Sequence, residues 1–186
     1  AALGLIEYIG ATGDREGLGD LDTLIGNMND LVATMGNYIP PEMVPGYAME
    51  TYGPVAINGL MGLIGLQRAA VIGPEGTDDD VAFTRDLLAE LRQRHFEDGV
   101  YAFGADREGL FLYPNITMIL AHTRMYQQTG VLFHLNRALD LYDAIQALKV
   151  NHGPGMVRYK SPYSADYMGS TSDDYSTLSS QNYTLF

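Results

Sequence analysis

Asn58-Gly-Leu-Met-Gly-Leu-Ile-Gly-Leu-Gln-Arg-Ala-Ala-Val-Ile-Gly73 and Asn115-Ile-Thr-Met-Ile-Leu-Ala-His-Thr-Arg-Met-Tyr-Gln-Gln-Thr-Gly130 align without a gap at a constant offset of 57 residues. Each opens on an asparagine, stays apolar for a helix's length and stops at a glycine, which is common punctuation at helix C-termini. An amphipathic stretch follows each. Residues 78–95 carry Val81, Leu87, Leu88 and Leu91 among charges, and residues 132–150 carry Leu135, Leu139, Tyr142, Ile145 and Leu148. Both approximate the 3.6-residue period of a helix with one buried face. Each unit then ends in a turn and a short aromatic stretch, Asp98-Gly-Val-Tyr-Ala-Phe103 and Pro154-Gly-Met-Val-Arg-Tyr159.

The flanks repeat the unit in part. Leu3-Gly-Leu-Ile-Glu-Tyr-Ile-Gly-Ala-Thr-Gly13 resembles Leu120-Ala-His-Thr-Arg-Met-Tyr-Gln-Gln-Thr-Gly130 at an offset of 117, and Gln181-Asn-Tyr-Thr-Leu-Phe186 resembles Pro114-Asn-Ile-Thr-Met-Ile119. The pattern predicts an all-α chain of repeated α-hairpins. Helices are expected over 2–10, 20–35, 54–72, 79–95, 114–129 and 132–149, with long loops over 36–53 and 151–180 and negligible strand. Apolar helices alternating with amphipathic ones suit concentric rings, in which the inner helix touches neighbours on most sides. The expected architecture is an incomplete arc of an (α/α) toroid, with an α-solenoid as the alternative. On this reading residues 1–186 are a single domain, a fragment of a longer toroid cut inside inner helices at both ends. Gly59, Gly62 and Gly65 suit close approach of inner helices; the other account is that they are merely tolerated, at about 1 kcal/mol each.

Composition narrows the function classes. The 186 residues are 46% hydrophobic and 18% charged, a globular balance. Net charge is −12, and only two of the eleven basic residues are lysines, Lys149 and Lys160. Phosphate-backbone binding needs clustered cations, so no nucleic-acid partner is expected. The same acidity opposes docking on an anionic membrane. The apolar run 55–66 is too short to suggest a membrane span. With no cysteine there is no disulfide framework and no thiolate metal site.

Tyr113-Pro-Asn-Ile-Thr-Met-Ile-Leu-Ala-His-Thr-Arg-Met-Tyr-Gln-Gln-Thr-Gly130, followed by Leu135-Asn-Arg-Ala-Leu139, resembles the six-hairpin (α/α)6 toroids. That group includes glycoside hydrolases, unsaturated uronyl hydrolases and N-acylglucosamine 2-epimerases. In such proteins an inner helix ends at Thr-Gly and an outer helix begins with Leu-x-Arg-Ala. The motif consists of helix stops and packing positions, so what it implies is fold rather than chemistry.

Such a fold places the loops entering the inner helices around one mouth of the barrel. Here these are 36–53, 99–113 and 155–180, the last the longest. It reads Tyr163-Ser-Ala-Asp-Tyr-Met-Gly-Ser-Thr-Ser-Asp-Asp-Tyr-Ser-Thr-Leu178. Asp173 and Asp174 are its candidate catalytic carboxylates, because glycoside cleavage uses an acid and a base or nucleophile. Neighbouring carboxylates rarely point to one place, so a partner is needed from Glu50, Asp106 or Glu108. Tyr163, Asp166, Tyr167 and Tyr175 are candidate substrate contacts, tyrosine offering a stacking face with a polar handle. A solvated loop with an aspartate capping a turn accounts for the same residues.

Asn58, Asn115 and Asn182 recur at the starts of three inner helices. Asn115 is a candidate contact to a ligand hydroxyl, although recurrence favours a cap or a bond to a neighbouring loop. His122 is a candidate acid-base group facing the lumen, or a hydrogen-bonded core residue. No cofactor or metal is expected. No histidine pair has ligand spacing, Asp78-Asp-Asp80 suits a helix dipole better than calcium, and Gly13-Asp-Arg-Glu-Gly-Leu-Gly19 lacks a phosphate-loop lysine. Two functions from different classes remain. One is carbohydrate processing by a glycosidase, lyase or epimerase, on a sugar-containing ligand at the mouth. The other is a non-catalytic scaffold whose partner is a protein, or the rest of a longer chain or complex.

Overall fold

The computed structural model describes residues 2–43, 46–72, 77–97, 99–101, 112–147, 149–151 and 157–159. Six α-helices dominate them: α1 Ala2–Thr12, α2 Leu18–Thr34, α3 Gly46–Ile72, α4 Thr77–His95, α5 Leu112–Thr129 and α6 Leu132–Ala147. Consecutive helices form hairpins, and α1, α3 and α5 pack side by side as an inner row. Within the second hairpin Gly62 faces Thr84 while Gly65 faces Asp80, so α3 and α4 run antiparallel. Across the inner row Gly59 of α3 meets Thr117 of α5, which sets the two repeats level with each other.

Local chemistry explains the boundaries. Helices α1 and α5 stop in the same way. Gly13 and Gly130 adopt φ of 70° and 67°, and their N–H groups donate to Ile9 O at 2.9 Å and Tyr126 O at 2.8 Å. The preceding threonines bond back, Thr12 Oγ1 to Tyr8 O and Thr129 Oγ1 to Met125 O, both at 2.7 Å. Each hydroxyl also accepts from the residue after the glycine, Asp14 N at 3.1 Å and Val131 N at 3.2 Å. A left-handed residue here is easiest for glycine, which explains the repeated Thr-Gly. Within α3, Gly53 has φ 71° and kinks the helix just before Pro54. The second segment of α3 therefore begins at proline, which has no N–H to leave unpaired.

Burial separates the layers. Helix α3 buries Val55, Ala56, Asn58, Leu63, Leu66 and Ala69, and none of its residues 53–69 is exposed. The outer helices bury one face each: Leu21, Ile25 and Val32 on α2, and Asp80, Thr84, Leu87, Leu88 and Leu91 on α4. Helix α6 departs from the sequence reading. Its buried face is His134, Ala138, Leu141 and Ile145, whereas Leu139 and Tyr142 are half exposed. Two apolar stripes compete on this helix, and the one carrying His134 packs on α5.

Other boundaries also differ from expectation. The expected loop 36–53 contains a 3-10 turn at Pro41–Met43 and the helical segment from Gly46. The short aromatic stretches form strands. Strand β1 Phe96–Glu97 pairs antiparallel with β2 Val100–Tyr101, and β3 Lys149–Asn151 pairs with β4 Val157–Tyr159. By length and composition Gly53–Val71 is able to cross a membrane, contrary to the shorter run read from sequence, but here it is the central core helix packed on α1, α4 and α5.

One buried ion pair ties the layers. Arg68 of α3 donates from Nε to Asp80 Oδ2 at 2.7 Å and from Nη2 to Asp80 Oδ1, and reaches Asp22 Oδ1 of α2 at 3.2 Å. Burial pushes the Asp80 carboxyl above its usual range, and the guanidinium gripping both oxygens opposes that. Asp80 is therefore more than an acidic residue in the first turn of α4.

The inner glycines make distinct predictions. A Cβ on Gly59 would stand 2.8 Å from Thr117 Cγ2, and one on Gly62 would stand 2.9 Å from Thr84 Cγ2. Both threonines are held in place by their hydroxyls, Thr117 to Tyr113 O and Thr84 to Asp80 O. A Cβ on Gly65 would meet nothing closer than 3.6 Å. Denaturant unfolding should therefore show Gly59→Ala and Gly62→Ala destabilised by about 1–3 kcal/mol. Gly65→Ala should be neutral, or stabilised by up to about 1 kcal/mol.

Candidate functional site

The residues at the starts of the inner helices do related work in two repeats. Asn58 is fully buried, accepts from Ile39 N–H at 2.7 Å and donates to Ile39 O at 3.0 Å and Pro54 O at 2.9 Å. Asn115, equally buried, accepts from Tyr101 N–H at 2.7 Å and donates to Tyr101 O at 2.8 Å. Each side chain thus clamps one residue of the segment leading into its helix. Both amide ends of Asn115 are thus engaged by the backbone of Tyr101.

His122 lies in the middle of α5 and faces α6. Its Nδ1 is 3.0 Å from His134 Nδ1, the rings are 5.3 Å apart at 32°, and the Phe133 ring stands edge-on at 6.5 Å. One ring must donate and the other accept, an arrangement unavailable to two imidazolium ions. Burial foremost, then His134, Arg137 and Arg92, push the His122 pKa down to about 3. Burial lowers that of His134 as well. A third histidine, His95, is lowered by burial and by Arg94, and its Nε2 is 2.9 Å from Tyr38 Oη. All three are neutral at pH 7.

Asp173, Asp174, Tyr163, Asp166, Tyr167 and Tyr175 lie outside the described residues, as do Asp106 and Glu108. Of the sequence candidates, His122 and Asn115 have described side chains, on different turns of the same helix, and Glu50 lies in the first part of α3. Among the described residues no group of three His, Cys, Asp or Glu side chains is placed to hold a metal. The sequence reading did not single out Tyr101, fully buried with its Oη unpartnered and its pKa pushed up to about 12, chiefly by burial. Nor did it single out Arg92 and Arg137, which lie close enough to act on both Tyr101 and His122. Their sequence signal is an arginine and a phenylalanine at i,i+4 on each helix end, Arg92 with Phe96 and Phe133 with Arg137.

Two outcomes follow. Asn115→Ala leaves the N–H and C=O of Tyr101 without partners in a buried place. It should cost about 2–4 kcal/mol in denaturant unfolding and abolish the hydrogen-exchange protection of the Tyr101 amide. The histidines make the fold acid-sensitive. Above pH 6.5 their neutral forms suit both states; below it the unfolded chain takes up protons that the folded chain refuses, so stability falls with pH. For His122 this loss runs from pH 6.5 towards about 3, at up to about 1.4 kcal/mol per pH unit. Unfolding free energies between pH 7.5 and 5 should show that slope, and His122→Gln should remove about one proton's share of it.

No protein-family model matches the chain, and no curated protein matches it. Among solved structures it is similar to a crystal structure of a sugar epimerase from a ruminal bacterium, with a TM-score of 0.64 and 15% sequence identity. The match covers 87% of this chain and 43% of the epimerase, so this chain spans less than half of that protein's length. At this identity the likeness establishes the fold, which is the all-α, repeated-hairpin (α/α) toroid type of that epimerase rather than a solenoid.

Proposed function

We propose that this chain belongs to a carbohydrate-processing toroid, with substrate held at the end where the chain enters the inner helices. The observation carrying the proposal is the likeness of 87% of the chain to the toroid of a sugar epimerase. The paired asparagine clamps support the location, because they fix the entry segments against the inner row. Ligands favour such loops on a rigid scaffold. The segment 163–178 then supplies the chemistry: Asp173 or Asp174 as acid or base, with Asp166, Tyr163, Tyr167 and Tyr175 holding hydroxyls and ring faces. His122 is a weaker acid-base candidate than these carboxylates. Its Nδ1 is engaged by His134, and burial keeps it neutral far below pH 7.

A second reading, a scaffold, is favoured by one feature. Leu132, Leu139 and Tyr142 form an exposed apolar stripe along the outside of α6, each more than half exposed. An outer helix facing only water has no use for such a stripe.

The test uses the full-length protein on reducing disaccharides and uronides, with turnover followed by proton NMR. Asp173→Asn or Asp174→Asn should lower turnover by about 100-fold or more with thermal unfolding unchanged. Failure of the unsubstituted protein to turn over any sugar, together with loss of a binding partner in Leu139→Ser, establishes the scaffold reading. Full turnover in both aspartate variants removes the loop from the site.

A further inference from the structure

Two arginines from different outer helices converge on one pair of aromatic rings. The Arg92 guanidinium of α4 lies 5.9 Å from the Phe96 ring centroid and 5.8 Å from that of Phe133. The Arg137 guanidinium of α6 lies 5.2 Å and 5.6 Å from the same centroids. Each cation gains from both ring faces, but two like charges now share one box. Among the described residues a single, distant carboxylate faces them. Among the described residues no ion pair reaches Arg92, and the carboxylate nearest Arg137, Asp140 Oδ2, stands at 3.9 Å on a side chain 68% exposed. In a chain of net charge −12 this is a conspicuous local excess of positive charge.

Unspent donors lie beside the arginines. Tyr101 Oη, His122 Nε2 and Arg137 Nε are buried without a protein partner, on side chains whose residues are 0% exposed for Tyr101 and 4% for His122. The phenol and the guanidinium Nε carry hydrogens to donate. His122 Nε2 donates as well when its Nδ1 accepts from His134. The Tyr101 ring stands edge-on to Phe96 at 5.1 Å and the His122 ring edge-on to Phe133 at 6.5 Å, so the two rings that receive the arginines place the four groups in one neighbourhood. Cations and buried donors that lack partners are complementary to a charged acceptor with several oxygens.

We propose that Arg92, Arg137, Tyr101 and His122 bind a small oxyanion, a phosphate or carboxylate group, between α4, α5 and α6. The exposed Arg92 and half-exposed Phe133 form its entrance. The arginines supply charge and paired N–H groups, while the phenol and imidazole close the inner side. This site takes Tyr101 from the entry segment that Asn115 clamps and does not rest on the carbohydrate reading.

The test titrates the full-length protein at pH 7.5 with inorganic phosphate and, separately, with glucuronate, each against sodium chloride at matched ionic strength. Thermal unfolding and the side-chain 15N resonances of His122 are followed. Saturable stabilisation by at least one oxyanion, absent with chloride and accompanied by a shift at His122 Nε2, is expected. The stronger of the two distinguishes a phosphorylated from a carboxylated ligand. Arg92→Gln or Arg137→Gln should weaken binding about tenfold or more, and the milder Tyr101→Phe about threefold. Equal effects of oxyanion and chloride, or unchanged affinity in both arginine variants, would overturn the proposal and leave a cation–π box.

Discussion

An extended residue presents its N–H and C=O to the same side, and the primary amide of asparagine answers both with one acceptor and one donor. Asn58 and Asn115 use this match to seize Ile39 and Tyr101, 19 and 14 residues upstream. Aspartate offers only acceptors when ionised, and glutamine places its amide one methylene farther from the helix. The clamp anchors the segment that crosses from an outer helix to the next inner one. With these crossings fixed, α3 and α5 stand level, and Gly59 can meet Thr117.

Level inner helices must then solve a packing problem. A helix buried on most sides has little room for side chains, and α3 answers with glycine where α4 and α5 approach most closely. It must also satisfy the polar groups it buries. Thr84 and Thr117 bond backbone carbonyls one turn back, and Thr84 adds a contact at 3.2 Å to Gly62 O across the helix pair. Arg68 is countered by Asp80 and Asp22. The same economy keeps His95, His122 and His134 uncharged. The Arg92–Arg137 box instead brings two cations onto one pair of rings with, among the described residues, a single exposed carboxylate, Asp140, at 3.9 Å, which is why it stands out chemically.

The helices, their order and the inner-to-outer alternation were legible in the sequence because starts and stops are local. Thr12-Gly13 and Thr129-Gly130 make the same set of backbone bonds wherever they occur. The clamp was legible as a recurrence, and its structural reading was the favoured one, but its target was not, since Ile39 and Tyr101 share no side-chain chemistry. The face of α6 was misjudged because Leu135, Leu139 and Tyr142 keep helical period as well as His134, Ala138, Leu141 and Ile145 do; only packing on α5 chooses between them. Strands of two or three residues are too short for alternation to register. The box needed tertiary structure, since Arg92 meets Phe133 and Arg137 meets Phe96 only when α4 and α6 flank α5.

The repeat itself separates architecture from chemistry. At the 57-residue offset, Asn58 corresponds to Asn115 and both clamp backbone. At that same offset Gly65 corresponds to His122, and there the two repeats part. Beside Gly65 the space between the layers holds the Asp80 carboxylate that Arg68 neutralises, with Asp80 Oδ1 3.8 Å from where a Cβ would stand. At the matching level of the next repeat a histidine fills the space, turns to His134 and leaves Nε2 without a partner. A closed ion pair has thus been replaced by a neutral pair with an open end. Copied positions hold the arc together, so selection for packing explains them fully. A departure that leaves a buried polar atom unsatisfied costs stability, and packing alone gives no reason to keep it. A bound acceptor does give one, because it returns the missing hydrogen bond and places negative charge between two arginines that otherwise repel.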